Sequence, residues 1–295
     1  MIVPFKGTPE ALARLRERLA ALARGPGDTV LVVDNGSDPL PAGDGAVPVH
    51  WAGQRPTPAF ARNAGAARGD ADWLVFCDAD TSAPADLLDR YFDPPPGERT
   101  GLLGGGVVDE PAPADAGLVA RYGQLRAVMS QERTFDFGDE WGYPKTANVA
   151  CRRAAFEQVG GFREDLRAAE DADLTYRLKA AGWQVERREH AEVVHTSRTT
   201  LRGLVVQQAL WGAGGAWVDS QYPGSVPLVG RAGLVRWALS TTFGGFARAV
   251  RTRDRDAAIM AVMRPVEALA WEFGRRMLPN QRPLPDGSPW RRLGL

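Results

Sequence analysis

Two carboxylates one residue apart, Asp78 and Asp80, close the apolar run Trp73-Leu74-Val75-Phe76-Cys77. An apolar run of that length reads as a buried strand. The carboxyl end of such a strand is where open α/β sheets bind ligands. The pair is spaced to hold a hard divalent cation by oxygen, with coordination positions left for a diphosphate. An Asp-x-Asp pair also occurs in plain solvated turns, so its neighbours decide the reading. Asp34 ends an earlier apolar segment and could accept the imide N–H of uracil, thymine or guanine, or simply cap its own turn. Arg62, in Arg62-Asn63, offers a fixed planar cation suited to a diphosphate or a base carbonyl. Glu170-Asp171 open a helix, where the dipole stabilises anions and where Asp171 could take a proton from a hydroxyl. His195 follows an apolar strand and could complete a metal shell begun by carboxylates, or serve as a core histidine.

The elements that must position these groups alternate between strand and helix. Strands are expected at Ile2–Phe5, Thr29–Val33, Val47–Trp51, Trp73–Cys77 and Leu102–Val108. Thr8 caps a helix with Pro9 in its first turn and an apolar face at Leu12, Leu15, Leu19 and Leu22. Further helices are expected at 58–69, 84–91, 114–131, 152–159 and 170–181. In the helix at 170–181, Leu174 and Leu178 face inward, Asp173 and Arg177 pair on a flank and Gly182 is the stop. Glu132–Pro144 is an irregular stretch carrying Phe135, Phe137, Trp141 and Tyr143. Trp183–Arg187 and Ala191–His195 read as short strands. This order argues for a mostly parallel sheet flanked by helices. After residue 198 the pattern becomes helical, at 199–220, 231–250 and 255–277, with Pro265 expected to kink or split the last helix and a Pro/Arg-rich tail at 279–295.

Composition narrows the classes. Acids and bases balance at 36 each in 295 residues, so nothing recommends nucleic acid as a partner. Cys77 and Cys151 lie in apolar contexts and read as reduced core thiols of a cytoplasmic protein. No leader and no spanning segment are expected. Gly104-Gly105-Gly106 does not open a helix and so does not read as a dinucleotide loop.

Seven motifs occur together in one order: Val3-Pro4-Phe5, Val32-Val33-Asp34-Asn35-Gly36-Ser37-Asp38, Ala61-Arg62-Asn63-Ala64-Gly65, Phe76-Cys77-Asp78-Ala79-Asp80, Asn148-Val149-Ala150-Cys151-Arg152-Arg153, Val159-Gly160-Gly161-Phe162 and Glu170-Asp171-Ala172-Asp173-Leu174. In this the chain resembles the family 2 glycosyltransferases of the GT-A fold over residues 1–198, with 199–295 as a helical C-terminal extension. The resemblance implies a UDP-, GDP- or dTDP-sugar donor and a Mn2+ or Mg2+ ion. It implies a donor side of Pro4, Asp34, Arg62, Asp78 and Asp80, a metal held by Asp80, Asp78 and His195, and in-line attack with inversion. It makes Asp171, beside Glu170, the base that activates an acceptor hydroxyl. Gln207-Gln208-Ala209-Leu210-Trp211 is similar to the Gln-Gln-x-Arg-Trp motif of processive members, but Leu210 replaces the arginine, which favours transfer of a single sugar.

The acceptor, a glycan, lipid or small molecule, would meet Trp141, Tyr143 and Trp211. The C-terminal helices carry apolar faces beside Arg231, Arg236, Arg248, Arg251, Arg253 and Arg255, which suits packing, a homodimer or a peripheral contact at the inner membrane face. Two other classes stay open: a nucleotide-sugar-binding protein without turnover, and a sugar-phosphate nucleotidyltransferase. The second needs a Gly-rich basic loop after the first strand, where this chain has only Lys6-Gly7-Thr8.

Overall fold

The computed structural model describes residues 1–36, 38–40, 45–113, 115–226 and 230–281. Ser37 in the second motif, Ala114 at the expected helix start and residues 282–295 of the expected tail lie outside the described residues. The chain divides into two compact units, one of Met1–Val108 and Met129–His195, the other of Asp109–Val128 and the residues from Thr196 onward.

The first unit is built on an eight-stranded sheet: β1 (Ile2–Phe5), β2 (Leu31–Asp34), β3 (Val49–Trp51), β4 (Trp73–Cys77), β5 (Thr81–Ser82), β6 (Thr100–Asp109), β7 (Asn148–Arg152) and β8 (Gln184–His195). The spatial order is β3-β2-β1-β4-β7-β6-β8-β5. β3, β2, β1 and β4 pair in parallel, and β7 pairs antiparallel with both β4 and β6. Helices follow in chain order: α1 (Pro9–Ala20), α2 (Pro58–Ala66), α3 (Leu87–Phe92), α4 (Leu118–Arg126) of the second unit, α5 (Glu132–Phe135), α6 (Gly138–Trp141), α7 (Arg153–Gln158) and α8 (Glu170–Ala180).

Local chemistry explains the starts. The Thr8 hydroxyl accepts from the Ala11 N–H and Thr57 from the Phe60 N–H at 3.2 Å, each with proline in the first turn. The core between helices and sheet holds Ile2, Val33, Leu74, Phe76, Val149, Leu174 and Leu178. Phe162 meets Phe76 edge-on at 5.2 Å, a geometry the ring quadrupoles favour.

Several elements differ from the sequence expectation. The expected strands at 183–187 and 191–195 form one strand, β8. Its polar middle is held from outside: Arg188 Nε donates to the Tyr91 carbonyl at 3.1 Å, and His190 Nε2 lies 2.6 Å from the Asp93 carbonyl. The helix expected at 114–131 is only α4, closed by Ala127 in the left-handed region at φ 46°. The Gly104–Gly106 run lies inside β6, where space is needed. A β carbon on Gly105 would strike the buried Asn148 amide, the Ala191 carbonyl and the Tyr91 hydroxyl. Asn148 donates to the carbonyls of Gly106 (2.9 Å) and Ala191 (2.6 Å) and accepts from Tyr91 (2.6 Å), tying three strands together.

Cys77 and Cys151 are free, buried thiols whose pKa values burial pushes up. A thiol reagent should label neither in the native protein and both after denaturation. Fast native labelling would contradict this packing.

The second unit comprises α4, α9 (Leu201–Gln221), α10 (Arg231–Leu239), a π turn (Ser240–Gly244), α11 (Gly245–Thr252) and α12 (Arg255–Met277). The expected helix at 231–250 is thus interrupted at the π turn, while α12 runs through Pro265 as one element. Leu204, Ile259, Met263 and Tyr122 form its core. Arg121 bonds Asp256 at 2.9 Å, and Glu267 takes both the Tyr122 hydroxyl and Arg126. α9 and α12 approach backbone to backbone: a β carbon on Gly274 would collide with the Ala209 carbonyl, and one on Gly212 with the Trp271 carbonyl. Gly274→Ala should therefore lower the melting temperature. Overpacking costs about 1–3 kcal/mol, which outweighs the roughly 1 kcal/mol gained in helix propensity. An unchanged or raised melting temperature would mean the helices are not so close. Among the described residues no helix is long and apolar enough to cross a membrane.

Candidate active site

The parallel register sets Asp34 beside Phe5 and Trp51, at the carboxyl edge of the first unit's sheet. Asp34 is buried. Its Oδ1 accepts from the Gly36 N–H and its Oδ2 from the Leu40 N–H, both at 2.9 Å, so it caps the turn. A carboxylate has about four lone-pair positions, so capacity for a ligand N–H remains. Pro4 lies half-buried in the neighbouring strand β1.

Asp78 and Asp80 leave β4 at the same edge and are partly exposed. The short β5 then turns back and pairs antiparallel with the end of β8, Thr81 opposite His195. The Thr81 hydroxyl ties the turn by donating to the Asp78 carbonyl at 2.8 Å. This return pairing places His195 Nε2 3.6 Å from Asp80 Oδ2, with His195 itself buried.

Arg62 links the two carboxylate motifs. Its Nη2 donates to Asp78 Oδ1 at 2.7 Å and its Nη1 to Glu170 Oε1 at 2.6 Å. Arg62 is 2% exposed, and its guanidinium carbon stands 5.7 Å from the Phe162 ring centre. Burial works against the charge, but Asp78 and Glu170 outweigh it and raise the Arg62 pKa. Lost hydration raises the Asp78 carboxyl against the pull of Arg62, and Asp80 adds to the rise. The neighbouring Asn63 clasps the chain that leads to α8: its amide donates to the Phe162 carbonyl at 2.9 Å, and its carbonyl accepts the Phe162 N–H at 3.0 Å. The Arg62-Asn63 pair thus fixes α8 twice, by charge and by backbone.

α8 begins after Ala169, a non-glycine residue held at φ 66°. That conformation costs of order 1–3 kcal/mol and persists only where its surroundings impose it. The surroundings here include the buried Glu170, bonded by Arg62, and the Ala169 carbonyl accepting the Asp173 N–H at 3.1 Å. Asp171 follows, partly buried, with Oδ1 accepting the Ala172 N–H at 2.9 Å. Lost hydration and then the Glu170 charge push its pKa up to about 7; the Ala172 N–H, Arg62 and Lys145 pull the other way. Asp173, expected on a flank, is fully buried, with Arg177 at 2.7 Å and Arg163 at 3.3 Å.

The aromatic segment is attached to the same helix. Trp141 stands edge-on to Tyr176 at 5.2 Å and Tyr143 edge-on at 6.2 Å. The Tyr176 hydroxyl donates to the Trp141 carbonyl at 2.9 Å. Lys179 Nζ donates to the carbonyls of Asp139 (2.7 Å), Glu140 (3.2 Å) and Gly142 (2.6 Å). Burial, and next the Asp171 charge, raise the Tyr143 hydroxyl pKa, which places Tyr143 within electrostatic reach of Asp171. The segment itself folds into α5 and α6. Trp211 lies half-buried on α9 of the second unit.

The first unit thus gathers Arg62, Asp78, Glu170 and Asp171 in one linked group, sets Asp80 beside His195, and hangs Trp141 and Tyr143 from α8. Sequence reading quoted Asn63 in a motif without giving it a role, and missed Lys145, Tyr176 and Lys179. Only the spacing of Tyr176 and Lys179 on the helix opened by Asp171 could have signalled them. Among the described residues no three His, Cys, Asp or Glu side chains are grouped as a ready-made metal cage. Asp80 beside the His195 imidazole nevertheless offers donors of the kind a divalent ion takes when phosphates supply its remaining oxygens.

Comparison with known proteins bears on this site. The family model described as Glycosyl transferase family 2 matches residues 1–160. Pre-mycofactocin glycosyltransferases of Mycobacterium tuberculosis, from strains CDC 1551 / Oshkosh and ATCC 25618 / H37Rv, are each 28% identical over 269 residues, covering 84% of this chain and 53% of theirs. The chain therefore spans about half the length of the curated relatives it matches. The mannosyltransferase PcManGT of Pyrobaculum calidifontis, solved in complex with GDP-Man and Mn2+, superimposes with a TM-score of 0.62 at 15% identity, covering 94% of this chain and 86% of that one. That likeness shows a shared fold. With a matching family model over more than half of its length, and a GT-A-like sheet carrying the matched motifs, the chain belongs to glycosyl transferase family 2.

Proposed function

We propose that the protein transfers a single sugar from a nucleoside-diphosphate sugar to an acceptor hydroxyl, with inversion, using Asp171 as general base. The observation that carries this reading is Asp171 itself. It is a partly buried carboxyl whose pKa of about 7 suits proton transfer near neutrality, fixed one residue from a glutamate bonded to the arginine that also holds Asp78. A raised carboxyl within electrostatic reach of Tyr143 in the aromatic segment supports turnover over binding alone.

On the donor side, Asp34 has capacity for a base N–H, Pro4 lines the strand beside it, and Arg62 orients Asp78. Asp80, Asp78 and His195 are the residues that would hold Mn2+ or Mg2+. When bound, such an ion stabilises the charge of the departing nucleoside diphosphate. Asp171 then takes the acceptor proton as the hydroxyl attacks the anomeric carbon from the face opposite the leaving group. Trp141 and Tyr143 present ring faces suited to a sugar or an apolar aglycone, and their attachment to α8 keeps them in step with the base. Trp211 is not part of this reading.

The Pyrobaculum enzyme makes GDP-mannose with Mn2+ the first pair to try, and the mycobacterial relatives make pre-mycofactocin a candidate acceptor. A thermal-shift panel of UDP-, GDP- and dTDP-sugars with and without Mn2+ tests the reading. A ligand at about 100 times its dissociation constant adds roughly 2.7 kcal/mol of stability. One metal-dependent shift is expected; none with any donor would overturn the donor assignment. Asp80→Ala should weaken donor binding in Mn2+ and leave it unchanged in chelator. An equal loss in both would remove Asp80 from the metal.

A further inference from the structure

The second unit carries an apolar stripe that none of its own helices covers. Val235, Leu239, Phe243, Phe246 and Val250, spaced three or four residues apart, run along α10, the π turn and α11. This is the spacing of one helical face. All five are exposed, Phe243 to 70% and Val250 to 62%. At 1.5 Å per residue the stripe is about 22 Å long. The buried Ala238 and Ala249, and Gly245 set close against Ala261, show that these helices pack through small residues while the stripe stays outside. Isolated exposed apolar residues are ordinary; a contiguous row of this length is not.

The charges beside it are of one sign. No Asp or Glu lies between Asp219 and Asp254, while Arg231, Arg236, Arg248, Arg251 and Arg253 do. Arg236, Arg248, Arg251 and Arg253 are exposed and, among the described residues, make no ion pair. We infer that α10, the π turn and α11 form a docking surface for an anionic lipid bilayer, with Phe243 and Phe246 entering the acyl boundary and the arginines meeting lipid phosphates.

The charge pattern selects this occupant. In a two-fold contact with a second copy the patch would face itself, arginine toward arginine, with no acid of its own to offset the repulsion. An anionic headgroup layer supplies the missing negative charge, and arginine matches phosphate with a bidentate fork. The geometry is that of a helix lying in the interface plane rather than spanning it.

The test is flotation of the full chain with phosphatidylcholine vesicles and with vesicles containing about one third phosphatidylglycerol, each at low and high salt. Binding to the anionic vesicles alone, reduced by salt, is the expected result. F243S/F246S and, separately, R248E/R251E should each reduce bound protein roughly tenfold while the melting temperature and donor-induced stabilisation stay at parental values, since all four side chains are on the surface. Equal binding to neutral vesicles would overturn the charge assignment. No vesicle binding would overturn the proposal, and a dimer in solution that F243S/F246S dissolves would give the surface to a second copy instead. Donor-induced stabilisation is read in the same samples, so failure of the donor assignment and failure of this inference are separable.

Discussion

Asp171→Asn is expected to lower sugar transfer by roughly 10²–10⁴ while leaving donor affinity unchanged. Asparagine keeps the size of the side chain and its contact with the Ala172 N–H but cannot take a proton. The pH dependence carries a second signature. Only the ionised carboxylate is a base, so kcat/KM should rise through a pKa of about 7 and flatten above it. Below that value it should fall about tenfold per pH unit. Stability moves the opposite way. A carboxyl raised above its ordinary value holds its proton longer folded than unfolded, so its contribution is full below the unfolded pKa and is lost as pH climbs to about 7. The asparagine variant should therefore be at least as stable as the parent at pH 8. Kinetics and melting curves check both halves. Loss of donor binding in this variant, or an acid limb near an ordinary carboxylate value, would remove Asp171 from the base role.

Arg62→Met should cost the fold as well as the reaction. It removes the single cation that bonds both Asp78 and Glu170 and leaves Glu170 buried and unpaired. Breaking a buried ion pair from one side costs about 3–5 kcal/mol; Asp78 retains some water, which argues for about 3. For a protein of this size that is a fall of roughly 6–12 °C in melting temperature. Arg62→Lys keeps the charge but has one ammonium where two carboxylates need a fork, so it should recover part of the stability and little of the activity. A methionine variant that melts with the parent would mean the bridge does not organise the site.

Much of this was legible in the chain. The first four β-strands and the helices capped by Thr8 and Thr57 follow from short apolar runs, caps and proline, all of which act within a few residues. Asp78, Asp80 and Asp171 could be named because each sits at the end of an element that local pattern reveals. Pairings across long stretches of chain were not legible. β7 enters between β4 and β6 through antiparallel register, and the Asn148 amide that joins its neighbours has no local signature. Arg62 could be named as a cation near the carboxylates, but its bridge to Glu170, more than a hundred residues away, has no local signature. The same holds for β8, whose polar middle reads as a break because Tyr91 and Asp93, which satisfy it, lie far upstream.

The ammonium of Lys179 bonds the aromatic segment through three peptide oxygens, and the Asp139 and Glu140 charges add a longer-range pull. Every residue has such an oxygen, so the bonds themselves do not dictate the side chains at 139 and 140, while position 142 is tied to glycine, because a β carbon there would strike the Gly138 and Phe135 carbonyls. At positions 139 and 140 mooring is thereby written in the main chain, which leaves the side chains there a different alphabet. A transplanted segment of equal length that keeps Gly142 and the ring contacts with Tyr176 should seat beside Asp171, which under the proposed reaction makes this stretch the place to exchange one acceptor preference for another.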